Sequence, residues 1–169
     1  SAVALSKGPG SYTGLRVGAS AAKAISYTLN IPLIAIDTLK ILAFPYLETA
    51  KKNNSVIIPL IDARRQEVYF NIYDMALQPA VETNNLILES NSFSDISQPI
   101  IFTGDGAEKA ATLISPNNKN TFIPTQALAK EMCALAQEAF TAENFEDTAY
   151  FSPFYLKPPN ITKSKKSLF

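Results

Sequence analysis

Residues 1–37 read "SAVALSKGPGSYTGLRVGASAAKAISYTLNIPLIAID", and this stretch narrows the fold more than any other. An apolar run, "SAVALSK", ends in a Gly-Pro-Gly turn. Helical spacing follows from Thr13 to Leu29, and after Asn30 a second short apolar run begins. Strand, helix and strand at this distance make a parallel pair joined by a crossover, and hence an α/β protein. On the helix, Gly14, Leu15, Gly18, Ala21, Ala22, Ile25 and Leu29 share one broad face, which Val17, Ala24 and Thr28 extend sideways. Only Arg16, Lys23 and Tyr27 mark a wetter side. A helix so small and so apolar is expected to be covered on more than one side, with Gly14 and Gly18 admitting a second backbone. A first strand this apolar also needs neighbours. The expectation is that a segment preceding Ser1, or another chain, supplies them.

Further on, "TLKILAFPYLETAKK" reads as one helix, and "KKNNS" as punctuation. Val56–Asp62 and Glu67–Tyr73 read as two strands joined by a tight charged turn. "PIIFTGDGAEKAATLI" reads as strand, Gly-Asp-Gly turn and helix. "PTQALAKEMCALAQEAF" is a helix with Leu128, Met132, Leu135 and Ala139 on its apolar stripe, and "AYFSPFYLK" closes as a strand. Cys133, beside that stripe, is expected in the core.

Composition excludes most chemistry. The chain of 169 residues contains no histidine and one cysteine. No Ser-His-Asp or Cys-His nucleophile system can be assembled, and no zinc site of the usual nitrogen and sulfur ligands. Carboxylate chemistry with magnesium passes this filter. A single cysteine fits a reducing compartment, and with no signal-peptide pattern the expected location is the cytoplasm. Formal charge is zero but unevenly spread: residues 81–150 hold three lysines against ten acids, and residues 151–169 hold four lysines and no acid. Such a balance is a poor footprint for nucleic-acid binding. The basic tail "KPPNITKSKKSLF", residues 157–169, is the one stretch suited to touching RNA phosphate or an acidic partner.

The opening loop departs from the strict phosphate motifs. Five residues separate Gly8 from Gly14 and Leu15 follows, so it is no Walker loop. For the dinucleotide fingerprint the third glycine falls one residue late. Two readings stay open, a structural turn or an anion site built from Gly8, Gly10, Ser11, Thr13, Gly14 and Arg16. In the second, Ser11 or Thr13 caps the helix, and a negative group offsets Arg16 in its first turn. "GDGAEK" is either a helix-initiating turn or a nucleoside contact, and "DARRQE" is read as a hairpin turn with solvated charges.

Taken together, "SKGPGSYTGLRVGASAAKAI", "IPLIAIDTLKILA", "DARRQEVYFNIYD", "GDGAEK" and "AYFSPFYLK" closely resemble the TsaB (YeaZ) family over most of the chain. The resemblance implies a two-lobed, actin-like (ASKHA) α/β fold whose lobes are ribonuclease-H-like. It places residues 1–50 in an incomplete N-terminal lobe, 51–158 in the C-terminal lobe and 159–169 in a basic tail. It implies a non-catalytic subunit that pairs with its paralogue TsaD, the enzyme adding threonylcarbamoyl to a tRNA adenosine. The ATPase TsaE joins that pair, and in isolation a homodimer is expected. Contact with tRNA would be indirect, with no cofactor and no metal. TsaD-like enzymes carry metal-binding histidines just after a strand similar to "IPLIAID", where this chain reads "DTLKILA". The glycoprotease-like peptidase chemistry once attached to such sequences therefore lacks its ligands here. Family members begin with a strand bearing an Asp-Thr-Ser-like phosphate loop, and that segment is missing from this sequence. Pairing in the family uses a helix of the missing segment together with the helix at Thr13–Leu29. By resemblance Val17, Ser20, Ala21, Ala24, Tyr27 and Thr28 form the partner surface, and any nucleotide role of the loop is vestigial. The rival expectation is a Mg-ATP-dependent small-molecule kinase or carbamoyl transferase of the same fold.

Overall fold

The computed structural model describes residues 1–158; the lysines of the tail at 163, 165 and 166 lie outside the described residues. Strand β1 (Val3–Gly8) lies parallel to β2 (Leu33–Asp37), with Val3 opposite Leu33 and Ser6 opposite Ile36. Helix α1 (Tyr12–Leu29) is the crossover between them, as the strand–helix–strand pattern requires. Ser11 caps α1 by accepting the Gly14 N–H at 3.3 Å, so the cap is Ser11 and not Thr13. Asn30 ends the helix in the left-handed region at φ 49°, a conformation asparagine tolerates.

The second sheet has five strands: β3 (Val56–Asp62), β4 (Glu67–Phe70), β5 (Asn84–Ile87), β6 (Ile100–Thr103) and β7 (Thr121–Ile123), in the order β5-β4-β3-β6-β7. β3, β6 and β7 run parallel, while β3–β4 and β4–β5 are antiparallel. Along β3, Ile57 faces one core and Ile58 and Leu60 face another. Both faces of this sheet are covered, which is why β3 and β6 read as unbroken apolar runs. On one side lie α2 (Thr38–Ala43) and α5 (Ala129–Thr141), and their side chains share a core with β2, β3 and β6. That core joins the two sheets. On the other side Ala107 and Ala110 of α4 (Ala107–Leu113) pack against Phe102, which stacks on Phe122 with centroids 4.8 Å apart. Burying a ring of that size is worth roughly 1.5–3 kcal/mol.

Four expectations need correction. The helix expected over residues 38–52 is broken into α2, a 3-10 turn at Phe44–Tyr46 and α3 (Leu47–Asn53), because Pro45 has no N–H to continue the ladder. β4 stops at Phe70 instead of Tyr73. Asn71 turns its own Oδ1 onto the Ile72 N–H, and Tyr73 rejoins only through single bridges to Ile57 and Pro79. Residues 149–157 form no strand; this segment is fixed by isolated bonds such as Phe154 N–H to the Lys7 carbonyl at 2.7 Å. Cys133 is exposed, since the inner stripe of α5 is Met132, Leu135, Ala136 and Ala139 and the cysteine sits a third of a turn away.

Within this chain α1 packs through a narrow side. Its buried residues are Ala19, Ala22 and Ser26, with Leu15 half-buried, while Gly14, Gly18, Ala21, Ile25 and Leu29 face outward. No neighbour lies within 4 Å of where a Gly18 Cβ would be. Small residues surround this helix on nearly every side, so periodicity alone does not fix which side meets the sheet. Ser26 is admitted to the buried side because its hydroxyl donates to the Ile31 carbonyl at 2.7 Å and meets the Thr148 hydroxyl at 2.9 Å.

Candidate functional site

Two features are candidates: a cleft at the start of α1, and the outward face of the same helix. The cleft encloses about 510 Å³ between the Gly10–Thr13 turn, the Asp62–Arg64 hairpin, Asp105 and the segment Tyr155–Pro158. Of the six loop residues, Gly10, Ser11 and Thr13 line it. Gly8 is buried at the end of β1 with φ +113°, and a Cβ there would stand 2.4 Å from the Phe154 carbonyl oxygen. Gly14 serves the cap. Arg16 lies in the second turn of α1, and its guanidinium sits 4.9 Å from the centre of the Tyr12 ring. Among the described residues it has no carboxylate partner. An aromatic face is what the chain itself offers the guanidinium.

The acidic groups around the cleft are engaged, whereas Arg64 at its edge is exposed. Asp62 accepts the Lys109 ammonium at 2.6 Å and the Arg64 N–H at 2.6 Å. Partial burial works against its ionised form, but Lys109 and the Arg64 N–H outweigh that and hold its carboxyl below the ordinary 3.8. Asp105 accepts the Asp62 N–H at 2.9 Å, so the Gly-Asp-Gly turn ties β6 to β3. Glu67 accepts Lys157 and the Asn85 amide, and the Lys157 ammonium, acting first, lowers its carboxyl below the usual range. Tyr155 packs at a tilt against Tyr12, with ring centroids 4.6 Å apart, and closes the cleft from the C-terminal side. The hairpin charges of "DARRQE" are therefore only partly solvated: Arg64 and Arg65 are exposed at positive φ, whereas Asp62 and Glu67 hold lysines from remote parts of the chain. Sequence reading missed Lys109, Asn85, Tyr155 and Lys157 in this network. Its one local signal was two acids flanking a turn, and their partners lie 47 and 90 residues away.

Away from the cleft, Asp37 caps α2 by accepting the Leu39 and Lys40 N–H groups at 2.8 and 3.3 Å. Burial raises its carboxyl above the ordinary value despite those bonds. The buried Tyr73 phenol is pushed up by the same desolvation and by the nearby Asp37 charge.

The outward face of α1 carries all six residues expected at a partner surface. Val17, Ser20, Ala21, Ala24, Tyr27 and Thr28 are exposed, Tyr27 by 83% and Val17 by 64%. Spacings of three and four place Val17, Ala21, Ala24 and Thr28 in one row, and Ile25 and Leu29 enlarge the apolar area. Lys23 is not on this face in effect, because its ammonium is drawn to the Ala149 and Phe151 carbonyls at 3.0 and 3.1 Å. The helix thus presents an apolar surface with small residues at its centre, a shape suited to a second helix.

Comparison with known proteins gives a consistent picture. The family described as TsaD, tRNA N6-adenosine threonylcarbamoyltransferase, matches residues 1–162. The tRNA threonylcarbamoyladenosine biosynthesis protein TsaB of Bacillus subtilis is 33% identical over 109 residues, covering 62% of this chain and 46% of that protein. The TsaB protein of Buchnera aphidicola from Schizaphis graminum is 34% identical over 114 residues, covering 63% and 53%. The chain thus spans about half the length of these curated relatives. Among solved structures, YeaZ from Pseudomonas aeruginosa superposes with a TM-score of 0.71 at 22% identity, covering 92% of this chain and 73% of that one. A second Pseudomonas aeruginosa structure, of a protein described as similar to peptidase YeaZ, matches equally well. These two likenesses concern the fold.

Proposed function

The chain belongs to the TsaD family, among its TsaB/YeaZ proteins, and on that premise we propose that it is a non-catalytic scaffold. It supports a TsaD-type subunit that transfers threonylcarbamoyl to a tRNA adenosine. The observation that carries this reading is the α1 face: an 18-residue helix with Val17, Ile25, Tyr27 and Leu29 all exposed. Apolar area of this kind on one helix is characteristic of a surface that meets another protein. Two further facts support it. The sequence contains no histidine, and the carboxylates at the cleft, Asp62 and Asp105, are held by internal bonds, as is Lys157. Self-pairing would use the same face and so compete with the catalytic subunit. A TsaE-type ATPase would join the pair, and tRNA would be reached through the catalytic subunit.

The test is size exclusion with light scattering on the full-length protein, alone and mixed with the TsaD-type subunit of its own organism. A one-to-one complex is expected, lost on Ala21→Arg or Ala24→Arg without a change in melting temperature. Unaltered pairing of both variants would overturn the assignment of this surface. The cleft of about 510 Å³ favours one second reading, a Mg-ATP-dependent kinase or carbamoyl transferase. Calorimetry with Mg-ATP separates the two, since tight binding with turnover belongs only to the enzyme.

A further inference from the structure

A second cleft shares Tyr155 with the first and is larger, enclosing about 1090 Å³. It opens where β1 and β2 end and α2 begins, between residues 71–83 and 146–155. Its polar groups are short of partners. Lys7 stands on β1 beside the Gly8–Asp37 pair of the ladder, and Lys40 lies three residues past Asp37 in the first turn of α2. Both lysines are half-buried, and among the described residues neither ammonium has a carboxylate or hydrogen-bond partner. Asp37 uses Oδ1 for the Leu39 and Lys40 N–H groups, which leaves Oδ2 without a partner among the described residues. Burial raises its carboxyl while the charges of Lys7 and Lys40 pull the other way, so both ammoniums act on one point. Tyr73 is 3% exposed, and its hydroxyl has no hydrogen-bond partner among the described residues. That hydroxyl is not sealed in: among the described residues the partnerless side-chain atom cut off from solvent is Asn120 Oδ1. Tyr73 lines the cleft, so its polar end faces that space. The wall is aromatic and held from behind. Phe154 donates its N–H to the Lys7 carbonyl, which seats it next to the lysine. Tyr150, exposed by 87%, stands on a turn in which Asp147 Oδ1 accepts the Ala149 and Tyr150 N–H groups. Lys23 of α1 holds the carbonyls on either side of that tyrosine.

We propose that this second cleft binds a small organic anion, its carboxylate or monophosphate group held by Lys7, Lys40 and the Tyr73 hydroxyl, and its flat apolar body against Phe154 and Tyr150. The site does not rest on the scaffold reading. A half-buried ammonium without a counter-charge and a buried phenol without a partner both cost free energy. All three groups are donors, and an anion is the group that accepts from all of them at once. Two ammoniums against the one carboxylate of Asp37 leave this end of the cleft net positive. The aromatic wall selects the rest of the ligand, since a flat ring stacks or packs edge-on there and displaces loosely held water. The volume stands at the top of the usual ligand range of about 300–1,000 Å³ and is far more than a bare inorganic ion fills. The acids of the lining set an upper limit on charge. Glu82 is exposed, and Glu146 bridges Leu33, four residues back along β2 from Asp37 and so about 13 Å away. Asp147, the remaining acid, is occupied by its turn. A polyanion such as a nucleic-acid strand meets Glu82 and Glu146 as well as the lysines and is repelled, whereas a compact anion reaches the lysines alone.

The test is calorimetry on the full-length protein with phenyl phosphate, phenylacetate, inorganic phosphate and benzyl alcohol. Saturable binding of phenyl phosphate or phenylacetate is expected, and the tighter of the two identifies the head group. Inorganic phosphate, without the ring, and benzyl alcohol, without the charge, should each bind at least about tenfold more weakly. Lys7→Met and Lys40→Met are each expected to weaken binding of the better probe at least about tenfold. Neither should lower the melting temperature, because neither lysine has a partner to lose. Tyr73→Phe, which keeps the ring in the core, should weaken binding about two- to tenfold. Arg64→Gln, at the edge of the first cleft, is the control and should change nothing. Absence of saturable binding by both aromatic anions overturns the proposal, and so does benzyl alcohol binding as tightly as they do. Unaltered affinity in both lysine variants overturns it as well. Loss of binding in Arg64→Gln alone would put the anion in the first cleft and remove it from this one.

Discussion

At the scale of single residues, the backbone decides several identities that chemistry alone leaves open. Gly104 has φ +96°, and a Cβ there would lie 2.2 Å from the Leu60 carbonyl oxygen. Gly104→Ala is expected to lose roughly 2–4 kcal/mol in urea unfolding through strain and displacement of β3. Gly10→Ala, with open space around it, should stay within about 0.5 kcal/mol. Equal losses at the two sites would contradict this account. The carboxylates behave in opposite senses. Asp62 and Glu67 are held below their ordinary values by Lys109 and Lys157. Their stabilisation is therefore complete above the ordinary carboxylate range and is lost as pH falls through the lowered values. Asp37 is raised by burial, so it favours the folded state while protonated and loses that contribution as pH rises past the ordinary range. Between about pH 5 and pH 2, Asp62→Asn should flatten the acid fall in stability and Asp37→Asn should steepen it. Urea midpoints across that range are the measurement, and an unchanged slope in Asp62→Asn would remove the Lys109 pair from the explanation.

At the scale of elements, α1 shows how pattern and packing divide the work. Its length, its Ser11 cap and its Asn30 stop all follow local rules. Ser11→Ala should cost about 1 kcal/mol in thermal unfolding, without altering partner affinity once folded. A larger effect on pairing than on stability would instead give the loop a direct binding role. The rotation of the helix about its axis was not legible. Leu15, Ile25 and Leu29 share one broad face by spacing, but the side that packs within this chain is Ala19, Ala22 and Ser26. A small residue satisfies a tight inner contact as readily as an outer one, and a buried serine is identified only when its hydroxyl's partners at Ile31 and Thr148 are in view. Pro45, by contrast, was a plain local signal that helix spacing over residues 38–52 overrode on reading. The missed strands β5 and β7, of four and three residues, are too short for any periodicity to stand out.

At the scale of the whole molecule, the described residues form two sheets joined by the core around α2 and α5, and their C-terminal segment runs back over both. Residues 146–157 bridge Leu33, hold Lys23, pack a ring against Tyr12 and pair with Glu67. Shortening the full-length protein at residue 145 is therefore expected to lower its melting temperature and abolish pairing together. Loss of pairing at an unchanged melting temperature would mean the segment serves the partner alone. The sequence by itself determined the α/β class, the crossover helix and its ends, and the Gly-bearing turns. Those follow from short-range sterics, hydrogen-bond supply and composition, which act within a few residues. Tertiary structure alone decided which side of α1 is free, that Cys133 is exposed, that Asp62 and Glu67 are bound to Lys109 and Lys157, and that Tyr150 stands fixed in solvent. Each depends on groups tens of residues apart meeting in space, and the energy of such a meeting is written in no local window of the chain.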